Sequence, residues 1–66
     1  MDGLGETIKQ LRKDNHMTQV QLAEKLNVSK GLISMWENNV NEPKASFIRK
    51  LAIVFNVSSD YILGLE

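Results

Sequence analysis

The feature that most constrains the fold of this chain is a helix-start signal at Thr18 that is followed, one short helix later, by a second at Ser29. Gln21 lies three residues after Thr18, the spacing of a capping box, in which each side chain bonds the backbone amide of the other residue. Asn27 follows the last apolar residue of the first helix, and Asn tolerates the left-handed backbone that often ends a helix. Only Asn27 and Val28 separate the two helices between their caps, and so short a turn fixes their mutual angle.

Apolar residues in both helices recur at helical spacing and predict the faces that pack inward. In the first helix, residues 18–26, the apolar stripe consists of Val20, Leu22, Ala23 and Leu26. In the second helix, residues 29–38, Ile33 and Trp36 face the core, and Val28 fills the angle between the helices. Two helices joined in this way form a helix-turn-helix, a motif whose second helix enters the major groove of DNA while the first crosses the backbone.

The opposite face of the second helix carries the residues expected to contact bases, which are Lys30, Gly31, Ser34 and Met35. Lysine donates to guanine N7 and O6, serine contacts several base edges, and an apolar side chain can touch the thymine methyl group. We therefore predict that Lys30 contacts guanine and that Met35 contacts thymine. The alternatives are a solvated charge for Lys30 and an adaptable packing residue for Met35. Gly31 costs about 1 kcal/mol relative to alanine inside a helix; either it lets the backbone approach DNA closely or it is a neutral first-turn residue.

The chain resembles the DNA-binding domain of the Cro and phage-repressor family, also called XRE-type regulators. The resemblance covers nearly the whole chain and is carried by several separated segments of LGETIKQLRKDNHMTQVQLAEKLNVSKGLISMWENNVNEPKASFIRKLAIVFNVSSDYILG. It implies an all-α, compact five-helix fold in which residues 1–66 form one domain. The helices are then expected near residues 4–14, 18–26, 29–38, 44–55 and 58–63.

The resemblance also implies roles for residues outside the base-contacting set. Gln19 matches the position that braces the sugar-phosphate backbone, and amides near Asn38 and Asn39 match the loop that grips phosphate. Such contacts fix the register on DNA without reading its sequence. Arg12 and Glu37 match a pair that forms an ion bridge between the first and third helices.

The chain departs from the family pattern in ways that affect its turns and its fourth helix. Where relatives often have glycine, it has residues that tolerate a positive φ, namely His16, Asn27 and Asn39. The usual serine cap after the proline is missing, since Lys44 follows Pro43. The fourth helix therefore starts either near Lys44 or later, with Ser46 as its cap.

The charge balance is the main argument against a DNA-binding function, because the chain has eight basic and eight acidic residues, whereas such domains are often strongly basic. If Arg12 and Glu37 neutralise each other, Lys13, Lys30 and Lys44 remain available for a DNA-facing side. Few counterions would then be released on binding, so we expect a modest salt dependence, with affinity drawn from two half-sites.

We predict a homodimer interface in the C-terminal segment, formed by Tyr61, Ile62 and Leu65. A region beyond this segment could supply the interface instead. The alternative is that Ile62 and Leu63 cover the core and that Tyr61 lies over it. A symmetric dimer would place its two recognition helices about 34 Å apart and would bind a pseudo-palindromic operator.

Composition excludes several other classes of protein. Without cysteine there is no disulfide and no thiolate zinc site, and no apolar run is long enough to span a bilayer, so we expect a cytoplasmic protein of a bacterium or phage. His16 has no partner for a metal site, and no catalytic constellation is evident, so neither a cofactor nor an enzyme is expected.

The leading hypothesis is a regulator, most simply a repressor, that binds double-stranded DNA. The alternative is an antitoxin-type module that binds a protein through a neutral surface with Met35 and Val40 and regulates its own operon.

Overall fold

The computed structural model describes residues 3–66, and five helices follow one another along this part of the chain. They are α1 (Leu4–Asp14), α2 (Gln19–Leu26), α3 (Lys30–Glu37), α4 (Ala45–Phe55) and α5 (Ser59–Leu63). The described residues contain no β-strand. The predicted all-α, five-helix class is therefore confirmed, and no helix end differs from its predicted position by more than one residue.

The capping residues define the helix starts as the sequence predicts. Thr18 accepts a hydrogen bond of 3.1 Å from the amide of Gln21, whose side chain accepts one of 2.8 Å from the amide of Thr18. Ser29 and Ser58 cap α3 and α5 in the same way, with their hydroxyl oxygens 3.2 Å and 2.9 Å from the donating amides. These contacts satisfy backbone amides that a helix leaves unpaired in its first turn.

The fourth helix begins without a side-chain cap. Lys44 occupies the N-cap position and accepts no hydrogen bond with its side chain, and Ala45 is the first helical residue. The alternative of a later start capped by Ser46 is therefore wrong, because Ser46 already lies inside the first turn of α4.

Asparagines in a left-handed conformation end two of the helices. Asn27 has a φ of 58° after α2, and Asn56 has a φ of 55° after α4. Val28 and Val57 each follow with a 3.0 Å backbone hydrogen bond to the preceding helix, so the two turns share one geometry. Sequence reasoning missed the positive φ of Asn56, although the tripeptide Asn-Val-Ser occurs in both turns.

The remaining turns also contain the expected positive φ values. His16 has a φ of 57° and Asn39 a φ of 59°. Together with Asn27, these residues confirm the left-handed backbone expected at the three positions. His16 lies in the connection between α1 and α2.

One cluster of buried apolar side chains joins all five helices, and it consists of Leu4, Ile8, Leu11, Leu22, Ala23, Leu26, Ile33, Trp36, Ile48, Leu51, Ala52, Phe55 and Ile62. Val20 was predicted to belong to it, but 48% of its surface is exposed. Positions two apart on a helix differ by about 200°, so Val20 cannot share the face of Leu22. Leu32 and Phe47 are partly buried against this cluster, and Ile8 is fully buried within it.

The C-terminal helix uses Ile62 to cover the core. Ile62 is 1% exposed, while Tyr61 and Leu65 remain 48% and 68% exposed. Ile62 is therefore not available for the predicted dimer interface, and the alternative reading is correct for this residue. None of the described helices is long and apolar enough to cross a membrane.

Candidate nucleic-acid interface

The residues predicted to contact bases share the outward side of α3. Lys30, Gly31 and Met35 are exposed and Ser34 is half-buried. At about 100° per residue, the four span an arc of about 140° on the helix surface. The opposite arc holds the buried residues Ile33, Trp36 and Glu37, so core packing fixes which side of α3 faces outward.

No contact among residues 3–66 requires glycine at position 31. A Cβ atom added to Gly31 would meet only the hydroxyl oxygen of Ser29, at 3.9 Å. The α3 backbone is therefore uncovered on the side where Lys30 and Gly31 begin the helix.

A buried ion pair joins α1 to α3 beneath this surface, as the resemblance implies. Arg12 contacts Glu37 through two parallel hydrogen bonds, Nε to Oε2 at 2.7 Å and Nη2 to Oε1 at 3.0 Å. Its remaining nitrogen, Nη1, donates to the carbonyl oxygen of Met17 at 2.8 Å. The two charged residues are only 8% and 6% exposed. The pair therefore locks α3 against α1 and against the connection that leads into α2.

The predicted phosphate-bracing residue is tied to the same pair. Gln19, the first residue of α2, is half-buried and donates from Nε2 to Oε1 of Glu37 at 3.1 Å. The sequence signals Gln19 and Glu37 separately, but it gives no sign that the two side chains meet.

The loop after α3 uses its polar groups within the chain. The amides of Asn38, Asn39 and Val40 all donate to carbonyl oxygens of α3. Asn38 also donates from its side chain to the carbonyl oxygen of Ser34 at 2.9 Å. These backbone amides therefore already have acceptors within the chain, and the side chains of Asn38, Asn39 and Val40 are exposed beside the end of α3.

The side chain of Asn39 caps α1 from a distant part of the chain. Its Oδ1 accepts from the amide of Gly5 at 3.2 Å, and its Nδ2 donates to Glu6 at 2.9 Å. Gly3, the N-cap of α1, provides no side-chain cap of its own. Asn39 therefore fastens the loop after α3 to the first turn of α1.

The two lysines predicted to contact phosphate lie on different elements. Lys44 borders a surface cavity of about 240 Å³ that also includes Leu32 of α3 and Phe47 of α4, so it lies beside the candidate interface. Lys13 is exposed in the last turn of α1, and no described hydrogen bond or ion pair connects it to α2 or α3.

A family model for the helix-turn-helix matches residues 8–62 of this chain. The chain belongs to the helix-turn-helix family. This match includes α2, α3 and the ion pair described above, and it confirms the resemblance drawn from the sequence.

Individual helix-turn-helix relatives carry regulatory names. The chain is 38% identical over 63 residues to the transcriptional regulator ImmR of Bacillus subtilis, a match that covers 96% of this chain and 50% of ImmR. It is 35% identical over 63 residues to the immunity repressor protein of Bacillus phage phi105, covering 96% of this chain and 44% of that repressor. The chain thus spans about half the length of these relatives.

A solved helix-turn-helix structure has the same fold. It is a crystal structure of SinR, described as the master regulator for biofilm formation, in complex with DNA. The similarity has a TM-score of 0.84 at 36% sequence identity and covers 91% of this chain and 97% of that one.

The electrostatics of the helix-turn-helix domain keep both members of the ion pair charged. Burial acts to raise the pKa of Glu37, but hydrogen bonds from Arg12 and Gln19 and the charges of Arg12 and Lys9 outweigh it and hold the pKa below its usual value. The bond to Glu37 raises the pKa of Arg12 against the opposing effect of burial. The pair is therefore ionised at neutral pH.

The lowered pKa of Glu37 predicts a loss of stability in acid. A group whose pKa falls on folding stabilises the protein above its unfolded-state pKa, about 4.3 for glutamate, and this stability is lost as the pH drops through the folded-state pKa. From neutral pH down to about pH 5, we expect the free energy of unfolding of the wild type to be larger than that of Glu37→Gln. Below about pH 4.3 this difference should shrink. Urea denaturation at a series of pH values tests this, and a difference that stays constant into acid would contradict it.

Proposed function

We propose that this chain is the sequence-specific DNA-binding part of a transcriptional regulator, most simply a repressor that occupies an operator. The observation that carries the proposal is the outward arc of α3, where Lys30, Ser34 and Met35 stand on a helix whose opposite side is fixed in the core. The names of ImmR and the phage repressor, and the DNA in the SinR structure, support it.

In this proposal α3 enters the major groove and α2 crosses the phosphate backbone. Lys30 donates to guanine and Met35 packs on a thymine methyl group, and Ser34 contacts a neighbouring base edge. Contacts that position the domain without reading sequence come from residues outside this helix, namely Gln19, Asn38, Asn39, Lys13 and Lys44. The backbone amides of Asn38 and Asn39 are bonded within the chain, and their side-chain nitrogens donate to Ser34 and Glu6, so a phosphate oxygen would have to compete with these bonds.

We further propose that two copies bind one operator. The equal numbers of basic and acidic residues limit the phosphate attraction of a single copy, and a second half-site adds affinity by linking two binding events. Tyr61 and Leu65 are exposed hydrophobic residues of the C-terminal segment, whereas Ile62 is buried. The proposed dimer contact therefore consists of Tyr61 and Leu65 without Ile62. A two-fold dimer then requires half-sites about 34 Å apart.

Selection from a random duplex DNA library, at low and at moderate salt, tests the proposed function. Enrichment of a two-fold symmetric site would support a dimeric operator-binding regulator and would give its half-site spacing. If a chain that is helical by circular dichroism enriches no sequence, the proposal is wrong. The antitoxin-type alternative would then gain weight, because Met35 and Val40 are exposed apolar residues on or next to α3.

Single substitutions separate base reading from backbone contact. Lys30→Ala should lose discrimination at one base-pair position by about 1 to 3 kcal/mol, whereas Gln19→Ala should weaken binding similarly on all sequences. The measurement is the Kd for the selected duplex and for its single-base-pair variants. Lys25→Ala, which removes an exposed charge from α2 outside the proposed interface, is the matched control. Equal effects of Lys30→Ala on every sequence would contradict the assignment.

A further inference from the structure

We propose that Glu37 is a positioning residue for DNA binding, because its buried carboxylate holds the side chain of Gln19 with one amide N–H directed inward and leaves the other for a phosphate oxygen. This inference rests on the proposed function, in which Gln19 contacts the DNA backbone. It gives Glu37 a second role beside its ion pair with Arg12.

The chemistry of Glu37 determines which end of the Gln19 amide it bonds. An ionised carboxylate only accepts hydrogen bonds, whereas a glutamine amide has a donating nitrogen and an accepting oxygen. The group 3.1 Å from Oε1 of Glu37 must therefore be the nitrogen of Gln19. One of its two N–H groups is bonded to Glu37, and the other has no hydrogen-bond acceptor among residues 3–66. A phosphate oxygen, which also only accepts, matches that second N–H.

The support behind Gln19 is rigid. Glu37 is 6% exposed and is held by two hydrogen bonds from Arg12, which itself is anchored on the carbonyl oxygen of Met17. Gln19 is thereby fixed from α1, from α3 and from the connection before α2. Its side chain loses rotamer freedom when the chain folds rather than when it binds, and such preorganisation favours binding.

A second glutamine and carboxylate pair shows what an unsupported contact looks like. Gln10 donates to Asp14 at 2.8 Å, but both residues lie on α1 and are exposed. Gln10 has no part in the proposed interface, so Gln10→Ala is a matched control for Gln19→Ala.

The decisive variant removes the acceptor of Gln19 without stranding a charge. Arg12→Met/Glu37→Met replaces the buried pair with apolar side chains, a change that is often neutral for stability, and it leaves the net charge unchanged. We expect this double variant to bind a mixed-sequence duplex at low salt about tenfold more weakly than wild type, as Gln19→Ala does and Gln10→Ala does not. Adding Gln19→Ala to the double variant should then weaken binding no further.

The binding results for Gln19→Ala, the double variant and wild type distinguish a positioning role of Glu37 from a structural one. If Gln19→Ala weakens binding but the folded double variant binds like wild type, Glu37 is merely structural and the inference is wrong. If Gln19→Ala binds like wild type, Gln19 makes no phosphate contact and the inference fails while DNA binding stands. If wild type itself binds neither the mixed-sequence duplex nor any selected duplex, the proposed function fails first.

A measurement on the wild-type chain keeps the inference testable if the double variant does not fold. The side-chain amide proton of Gln19 that is bonded to Glu37 should exchange with solvent more slowly than the side-chain amide protons of Gln21, whose side-chain nitrogen donates no described hydrogen bond. The Gln19 proton not bonded to Glu37 should shift in the NMR spectrum when duplex DNA is added. Exchange as fast as that of Gln21, or no shift on adding DNA that binds, would overturn the inference.

Discussion

Replacing Arg12 with alanine is expected to lower the free energy of unfolding by about 3 to 5 kcal/mol. The substitution removes both hydrogen bonds from the guanidinium to Glu37 and the bond to the carbonyl oxygen of Met17. Glu37 would remain buried with Gln19 as its only hydrogen-bond donor among the described residues. Since a chain of 66 residues is stabilised by only about 3 to 10 kcal/mol, this loss would leave much of the variant unfolded.

Urea denaturation followed by circular dichroism measures this loss. Lys13→Ala is the matched control, because Lys13 is the next residue in α1, is exposed and has no described ion pair; it should change stability by no more than about 0.5 kcal/mol. Arg12→Met/Glu37→Met should recover most of the stability, since the cost comes from a stranded charge rather than from loss of a strongly stabilising pair. A loss below about 1 kcal/mol for Arg12→Ala would show that water or another donor reaches Glu37.

Local signals in the sequence were sufficient to predict the helices and their caps. The capping box of Thr18 and Gln21 and the left-handed turn at Asn27 depend on residues within four positions of one another, so their chemistry can be read directly from spacing. The same holds for Ser29. The prediction that Val20 is buried was wrong. It relied on the three-residue spacing between Val20 and Ala23, although Val20 lies only two residues before Leu22 and so faces another side of the helix.

The contacts that assemble the interface could not be predicted from local signals. Gln19 meets Glu37 across 18 positions and Asn39 meets Gly5 across 34, so both bonds exist only because α1, α2 and α3 pack together. The pair of Arg12 and Glu37 was predicted from family resemblance and not from spacing. The amide donors of the loop after α3 were assigned to phosphate, but helix ends usually satisfy their own carbonyl groups first, and this loop does so.

The contact between the start of α1 and the end of α3 leaves no room for a side chain at Gly5. A Cβ atom there would lie 2.5 Å from the carbonyl oxygen of Trp36, 2.8 Å from that of Glu37 and 2.7 Å from Oδ1 of Asn39. Real Cβ atoms do not approach other atoms so closely, and two of the three neighbours are backbone atoms that cannot rotate away. An added methyl group must therefore push α1 away from α3.

Gly5→Ala is accordingly expected to lower the free energy of unfolding by about 3 kcal/mol or more, at the upper end of the usual cost of overpacking. Moving α1 would also strain the bond from Gly5 to Asn39 and the ion pair of Arg12 and Glu37. Gly31→Ala is the matched control, because its Cβ would make only an ordinary contact, 3.9 Å from the hydroxyl oxygen of Ser29, and alanine favours a helix over glycine by up to about 1 kcal/mol. Thermal and urea unfolding should therefore move in opposite directions for the two variants, and a stabilised Gly5→Ala would show that α1 and α3 are not held so close.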